Sequence, residues 1–205
     1  MNDVRSRWSI SAEKKLNDKI NISGKIQIRQ SENLLLINRI YLQCAAQYNL
    51  NENFSVGISG NYIMSRGGFW EMGKSFRYAG FLSYKTKLTD RFSIINKLTY
   101  QTTTNSITNS EFEKIKSNTV IRNKSTLKYK YNRRGTFYAS EELMWQLFGK
   151  PEKYFSRNRV YLGYNYKINS KLDLEPYFIL ERTFNRPGGP QERNFYYCIN
   201  LNYSF

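Results

Sequence analysis

Apolar and polar residues alternate along almost the whole chain. At the carboxyl end Phe195, Tyr197, Ile199, Leu201, Tyr203 and Phe205 interleave with Asn194, Tyr196, Cys198, Asn200, Asn202 and Ser204. From Ile20 the set Ile20, Ile22, Gly24, Ile26 and Ile28 opposes Asn21, Ser23, Lys25, Gln27 and Arg29. A period of two places successive side chains on opposite faces of a strand. No segment keeps a 3.6-residue apolar stripe long enough for a helix. The alternation predicts eleven strands, at 4–16, 20–30, 38–50, 54–64, 76–88, 92–102, 119–131, 136–147, 157–168, 172–182 and 194–205.

The connections alternate between short and long. Asn17-Asp18-Lys19, Asn51-Glu52-Asn53, Thr89-Asp90-Arg91, Asn132-Arg133-Arg134 and Asn169-Ser170-Lys171 read as three-residue hairpin turns. The long connections cover 31–37, 65–75, 103–118, 148–156 and 183–193. A repeat of strand, tight turn, strand and long loop is an up-and-down meander. Tight turns on one rim and long loops on the other predict an all-β fold, an antiparallel transmembrane β-barrel occupying 1–205 as one domain. Strands of about 11–13 residues fit, since a tilted membrane strand needs roughly 9–11 and soluble strands average about 5–6.

Aromatic residues gather at both strand ends. Tyr48, Phe54, Tyr84, Phe92, Tyr131, Phe137, Tyr166, Tyr203 and Phe205 lie by the short turns, and Trp8, Tyr62, Trp70 and Trp145 by the long loops. Two such bands are what a pair of membrane–water interfaces selects; general strand propensity is the plainer explanation. The chain opens on Met1-Asn2-Asp3-Val4-Arg5, without an apolar secretion segment. An odd strand count conflicts with the even number of bacterial barrels. A signal peptide and a first strand are therefore expected upstream of Met1, giving twelve strands, with ten plus a tucked N-terminal segment as the fallback.

The last strand, Leu201-Asn202-Tyr203-Ser204-Phe205, resembles the C-terminal assembly signal of Gram-negative outer-membrane barrels. Together with Trp8, Tyr48-Asn49-Leu50 and Tyr166-Lys167-Ile168, it makes the chain similar to a family of small outer-membrane β-barrels of unknown function. The resemblance implies residence in the outer membrane and contact with its lipid and lipopolysaccharide. It also implies that the barrel-assembly machinery reads Tyr203 and Phe205.

Charge then fills in the interior. The chain has 32 Lys and Arg against 16 Asp and Glu, a formal net charge of +16, and no His. With the apolar set facing lipid, about half the basic residues point into the lumen, away from any nucleic acid, so no nucleic-acid partner is expected. A basic wall is predicted from Arg77, Lys85, Lys97, Arg122, Lys124 and Lys128, with most acids on 136–147 and 172–182. The turn registers pair Lys167 with Asp173, Arg159 with Glu181 and Lys124 with Glu142 as cross-strand ion pairs. Strips of Lys and Arg favour anions, and twelve-stranded porins for acidic sugars are similar in this respect. Two functions stay open: a narrow channel for small anionic solutes, or a barrel plugged by its own ion pairs that serves a larger outer-membrane complex. A soluble basic β-protein is the third.

Catalysis is not expected. Without His there is no imidazole proton shuttle, and the adjacent Glu141 and Glu142 point to opposite faces. No metal site or cofactor is expected. Cys44 and Cys198 fall on opposite faces of distant strands, which disfavours a disulfide. The Thr-, Asn- and Ser-rich loop 103–118 is the candidate contact for an outer-membrane protein partner.

Overall fold

Eleven strands close into one barrel: β1 (Asn2–Lys15), β2 (Ile20–Ser31), β3 (Leu36–Asn49), β4 (Phe54–Arg66), β5 (Met72–Lys87), β6 (Phe92–Ser106), β7 (Ser117–Lys130), β8 (Gly135–Phe148), β9 (Tyr154–Lys167), β10 (Leu172–Phe184) and β11 (Gln191–Ser204). The structure is a computed structural model and describes residues 2–31, 33–66, 72–106, 117–148, 154–184 and 191–205. Trp70 and the middle of the 103–118 loop lie outside the described residues.

Each strand pairs antiparallel with its sequence neighbour, and β1 pairs with β11 in parallel. Through that seam the eleven strands close on themselves. In an odd meander the first and last strands run the same way, so closure without another strand has to be parallel. The parallel ladder runs from Asn2↔Arg193 to Glu13↔Ser204. On its inner face Ser9 Oγ donates to Asn200 Oδ1 at 2.8 Å, and Ser11 Oγ donates to Asn202 Oδ1.

The five short turns are built alike. In each, a side-chain oxygen accepts the backbone N–H two and three residues ahead. Asn17 takes Lys19 N and Ile20 N at 2.9 and 2.7 Å, and Asn132 takes Arg134 N and Gly135 N at 2.9 and 2.6 Å. Asn51 and Asn169 do the same, and Thr89 does so with a hydroxyl. Asn, Asp, Ser and Thr favour such turns because their side chains substitute for a backbone carbonyl. The loop-side ends are less regular. Ladder shifts fall at Arg29/Gln30, Thr119/Val120 and Met144/Trp145. Several strands also run further than the apolar pattern: β6 continues through Thr102, Thr103 and Thr104, whose β-branched side chains keep the ladder after hydrophobic alternation ends. The connection expected over 31–37 is short, confined to 32–35, with Asn33 and Leu34 at positive φ.

Burial is inverted relative to a water-soluble globule. Ile58 is 68% exposed and Leu162 57%, whereas Glu142 is 1% and Glu181 2% exposed. The outer face is an apolar belt, and the polar face of every strand turns inward. Tight packing inside is helped by glycine: the Tyr138 ring lies where a Cβ on Gly163 would be, 2.4 Å away, and the Phe81 ring covers Gly57 in the same way.

Candidate functional site

The lumen contains a carboxylate network on one wall and unneutralised cations on the other. The network starts at Glu142 on β8. Its Oε1 accepts Arg122 Nε at 2.9 Å and also Nη2, while Oε2 accepts Arg159 Nη1 at 3.1 Å and the Tyr161 hydroxyl at 2.7 Å. Arg159 Nε then donates to Glu181 on β10. Glu181 also accepts the Tyr196 hydroxyl at 3.0 Å and pairs with Arg157 at 3.8 Å. Five neighbouring strands, β7 to β11, are thus stitched through two buried acids. Pairing and hydrogen bonding offset the cost of holding these charged groups so far from water.

The opposite wall has the charges without the acids. Arg29 stacks on the Tyr41 ring at 4.0 Å, with Arg77 at 5.8 Å from the same ring. Lys97 sits 3.5 Å above the Phe81 ring. Arg7, 5% exposed, lies 4.1 Å over Tyr196, and its Nε and Nη2 have no hydrogen-bond partner. A mid-lumen cavity of about 330 Å³ is lined by Lys25, Arg29, Arg77, Lys97, Arg122 and Lys124 against the single carboxylate of Glu142. A second cavity of about 710 Å³ opens toward the short turns and is lined by Lys85, Lys97, Lys124, Lys128, Lys130 and Lys167, with Asp173 and Glu175 among its acids.

Lys97 and Lys124 line both cavities and face each other directly across β6 and β7. Like charges placed opposite in a ladder are destabilising. Each ammonium leans on an aromatic face instead, Lys97 on Phe81 and Lys124 on Tyr161 at 4.0 Å. The pair concentrates positive charge where the linings of the two cavities meet.

The residues of the expected wall divide accordingly. Arg77 lines the middle chamber, Lys85 and Lys128 the turn-side one, and Lys97 and Lys124 both. Arg122 is largely neutralised by Glu142. The three expected cross-strand partners lie opposite each other in the ladders. Contact follows only for Arg159 and Glu181. Lys124 and Glu142 do not pair as expected, because two guanidiniums and a phenol already occupy the carboxylate. Lys167 and Asp173 form no ion pair, both opening onto the wide turn-side cavity, where water can solvate them. The inward aromatics Tyr41, Phe81, Tyr161 and Tyr196 were not singled out from the sequence; their parity, shared with neighbouring lumen Arg and Lys, was the available signal.

On the outer face, rings form cross-strand contacts at both ends of the barrel. Phe54–Tyr84, Phe92–Tyr129 and Phe137–Tyr164 meet at 4.7, 4.9 and 4.5 Å near the short turns. Tyr62–Phe76 and Trp145–Phe155 meet at 5.1 and 5.0 Å near the loops. Trp8 Nε1 donates to Ser6 Oγ at 3.0 Å. Tyr48, Tyr131, Tyr166, Tyr203 and Phe205 continue the turn-side band. Cys44 is exposed on the outer face and Cys198 is buried inside, and both are free thiols.

Residues 8–193 match the family described as Protein of unknown function (DUF2490), and the chain belongs to it. No curated protein matches the chain. Among solved structures it is similar in fold to the NanC porin, with a TM-score of 0.53 and 12% identity over 88% of this chain and 87% of that one. The KdgM porin in complex with disordered oligogalacturonate gives 0.48 and 12%, over 85% and 82%. The translocator domain of autotransporter NalP from Neisseria meningitidis gives 0.47 and 12%, over 82% and 70%. The fold is that of a porin-like outer-membrane barrel.

Proposed function

We propose that this member of the DUF2490 family is an integral outer-membrane protein, non-enzymatic, whose lumen is a narrow path for small anionic solutes. The apolar outer belt between two aromatic bands supports membrane residence, since an exposed belt of this size is not tolerated in water. Tyr203 and Phe205 at the end of β11 suit recognition by the barrel-assembly machinery, and loop-side basics such as Lys74 and Arg193 suit lipopolysaccharide phosphates.

The observation that carries the transport reading is the Lys97–Lys124 pair between the two cavities. A structural plug would neutralise its charges, as the Glu142 network does. Two lysines held side by side, with the neighbouring Glu142 already engaged by Arg122 and Arg159, are stabilised when an anion arrives. The alternative of a closed accessory barrel draws on that same Glu142–Arg159–Glu181 network, which fills one side of the lumen with fixed side chains.

Conductance of the refolded barrel in a planar bilayer under a salt gradient separates the two. Discrete steps with an anion-selective reversal potential are expected, and Lys97→Glu should move that potential toward cation selectivity. Folded, inserted protein that gives no steps would leave the closed barrel as the reading.

A further inference from the structure

The outer face has one region that does not suit lipid. On β6 the outward residues run Phe92, Ile94, Asn96, Leu98, Tyr100, and on β8 they run Phe137, Ala139, Glu141, Leu143, Trp145. Asn96 and Glu141 each stand midway between the aromatic residues of their own strand. On β7, between them, Ser125 and Asn123 occupy the same depth, facing Glu141 and Leu143 in the ladder. Asn158 on β9 joins the group by donating Nδ2–H to Glu141 Oε1 at 3.1 Å, and Asn96 donates to Ser125 at 2.8 Å. Asn123 and Glu141 are both exposed, and Asn123 has no side-chain partner among the described residues. On the other strands the described outward positions at this depth are aliphatic, Gly, Cys, Pro or aromatic.

We infer that this β6–β9 face is the interface of a two-fold homodimer within the membrane. The inference rests on membrane residence as proposed above. A carboxylate and a free carboxamide at mid-bilayer are unfavourable against hydrocarbon and normally mark a protein contact. The island is self-complementary: Asn123 offers an unused donor on β7, and Glu141 offers a carboxylate on β8. A two-fold axis between them lets Asn123 of each copy donate to Glu141 of the other, satisfying both sites at once in an isologous contact. A second copy also carries its polar row at the same depth by construction. Among the described residues the outward cations, Lys14, Arg66, Lys74, Arg182 and Arg193, lie near strand ends and supply no shifted partner. The small side chains of Ala139 and Ser125 permit close approach of the two walls.

The test uses the full chain refolded into phosphatidylcholine vesicles, with Cys44→Ser and Cys198→Ser to remove native thiols. Single variants Asn123→Cys and Glu141→Cys are mixed during refolding and oxidised. The expected product is a disulfide-linked species of twice the monomer mass, formed between the two variants in preference to either with itself. In detergent, the wild type should sediment as a dimer. Asn123→Leu with Glu141→Leu should weaken it by about tenfold or more while leaving the barrel folded and inserted. Protein that resists alkaline extraction from the vesicles yet sediments as a monomer and gives no mixed disulfide overturns the dimer. Protein extracted at alkaline pH overturns membrane residence instead, so the two failures are distinguishable.

Discussion

Glu142 is, with Glu181, one of the two buried acids that hold the interior together. It is almost wholly buried and is the shared acceptor of Arg122, Arg159 and Tyr161. Glu142→Ala leaves Arg122 without its counter-ion and Arg159 with Glu181 alone, and breaking a buried pair from one side costs about 3–5 kcal/mol. Urea unfolding of the vesicle-refolded barrel should register that loss, with Lys167→Ala, whose side chain makes no ion pair, changing stability little. Leu34 provides the opposite case. Its φ of 73° is a left-handed conformation that a side chain with a Cβ adopts at a cost of about 1–2 kcal/mol. Leu34→Gly should raise stability in the same assay, by up to about 1 kcal/mol after the added freedom of the unfolded chain is counted.

At the scale of elements, the short turns set the register and the strands follow. The five side-chain caps explain why ladders leaving these turns are regular while those near the loops carry bulges. Thr89 makes the longest contacts of the five, 3.3 and 3.0 Å, because its hydroxyl has a shorter reach than a carboxamide. Asn132→Ala should lose about 1 kcal/mol, and Thr89→Asn should gain a few tenths; thermal unfolding of the two variants in one detergent gives the comparison. Most of this level was legible in the sequence. All eleven strands and their faces follow from alternation, and the opposition of Arg159 to Glu181 follows from the centre of the turn at 169–171. The loop-side strand ends were not, because the polar Thr102–Thr104 run has no apolar face to mark it. Contact was also out of reach. Lys124 and Glu142 are opposite in the ladder, but which cation reaches the carboxylate depends on side-chain length, on the diagonal neighbour Arg122 and on Arg159, which faces Glu142 from a third strand.

For the whole molecule, charge is unevenly distributed around one lumen. Glu142 on β8 and Glu181 on β10 are consumed by guanidiniums, and the surplus cations face the cavities from β2, β5, β6 and β7. That field is screened by salt over a Debye length of about 10 Å at 0.1 M and about 3 Å at 1 M. Anion selectivity measured as reversal potential should therefore weaken as both bath concentrations rise at a fixed ratio. A selectivity unchanged by ionic strength would assign discrimination to the width of the passage and remove the role given to Lys97 and Lys124.

The sequence by itself determined the strands, their two faces and the rim of tight turns. All of these are local, because a period of two and a turn residue act within a few positions. The tertiary structure decided how the sheet closes, since a parallel β1–β11 seam joins residues nearly two hundred positions apart that carry no local signature. It also decided which cations are neutralised and where polar residues from four strands meet on the outer face. Those are properties of registered neighbours, and they exist only once the barrel has brought the strands side by side.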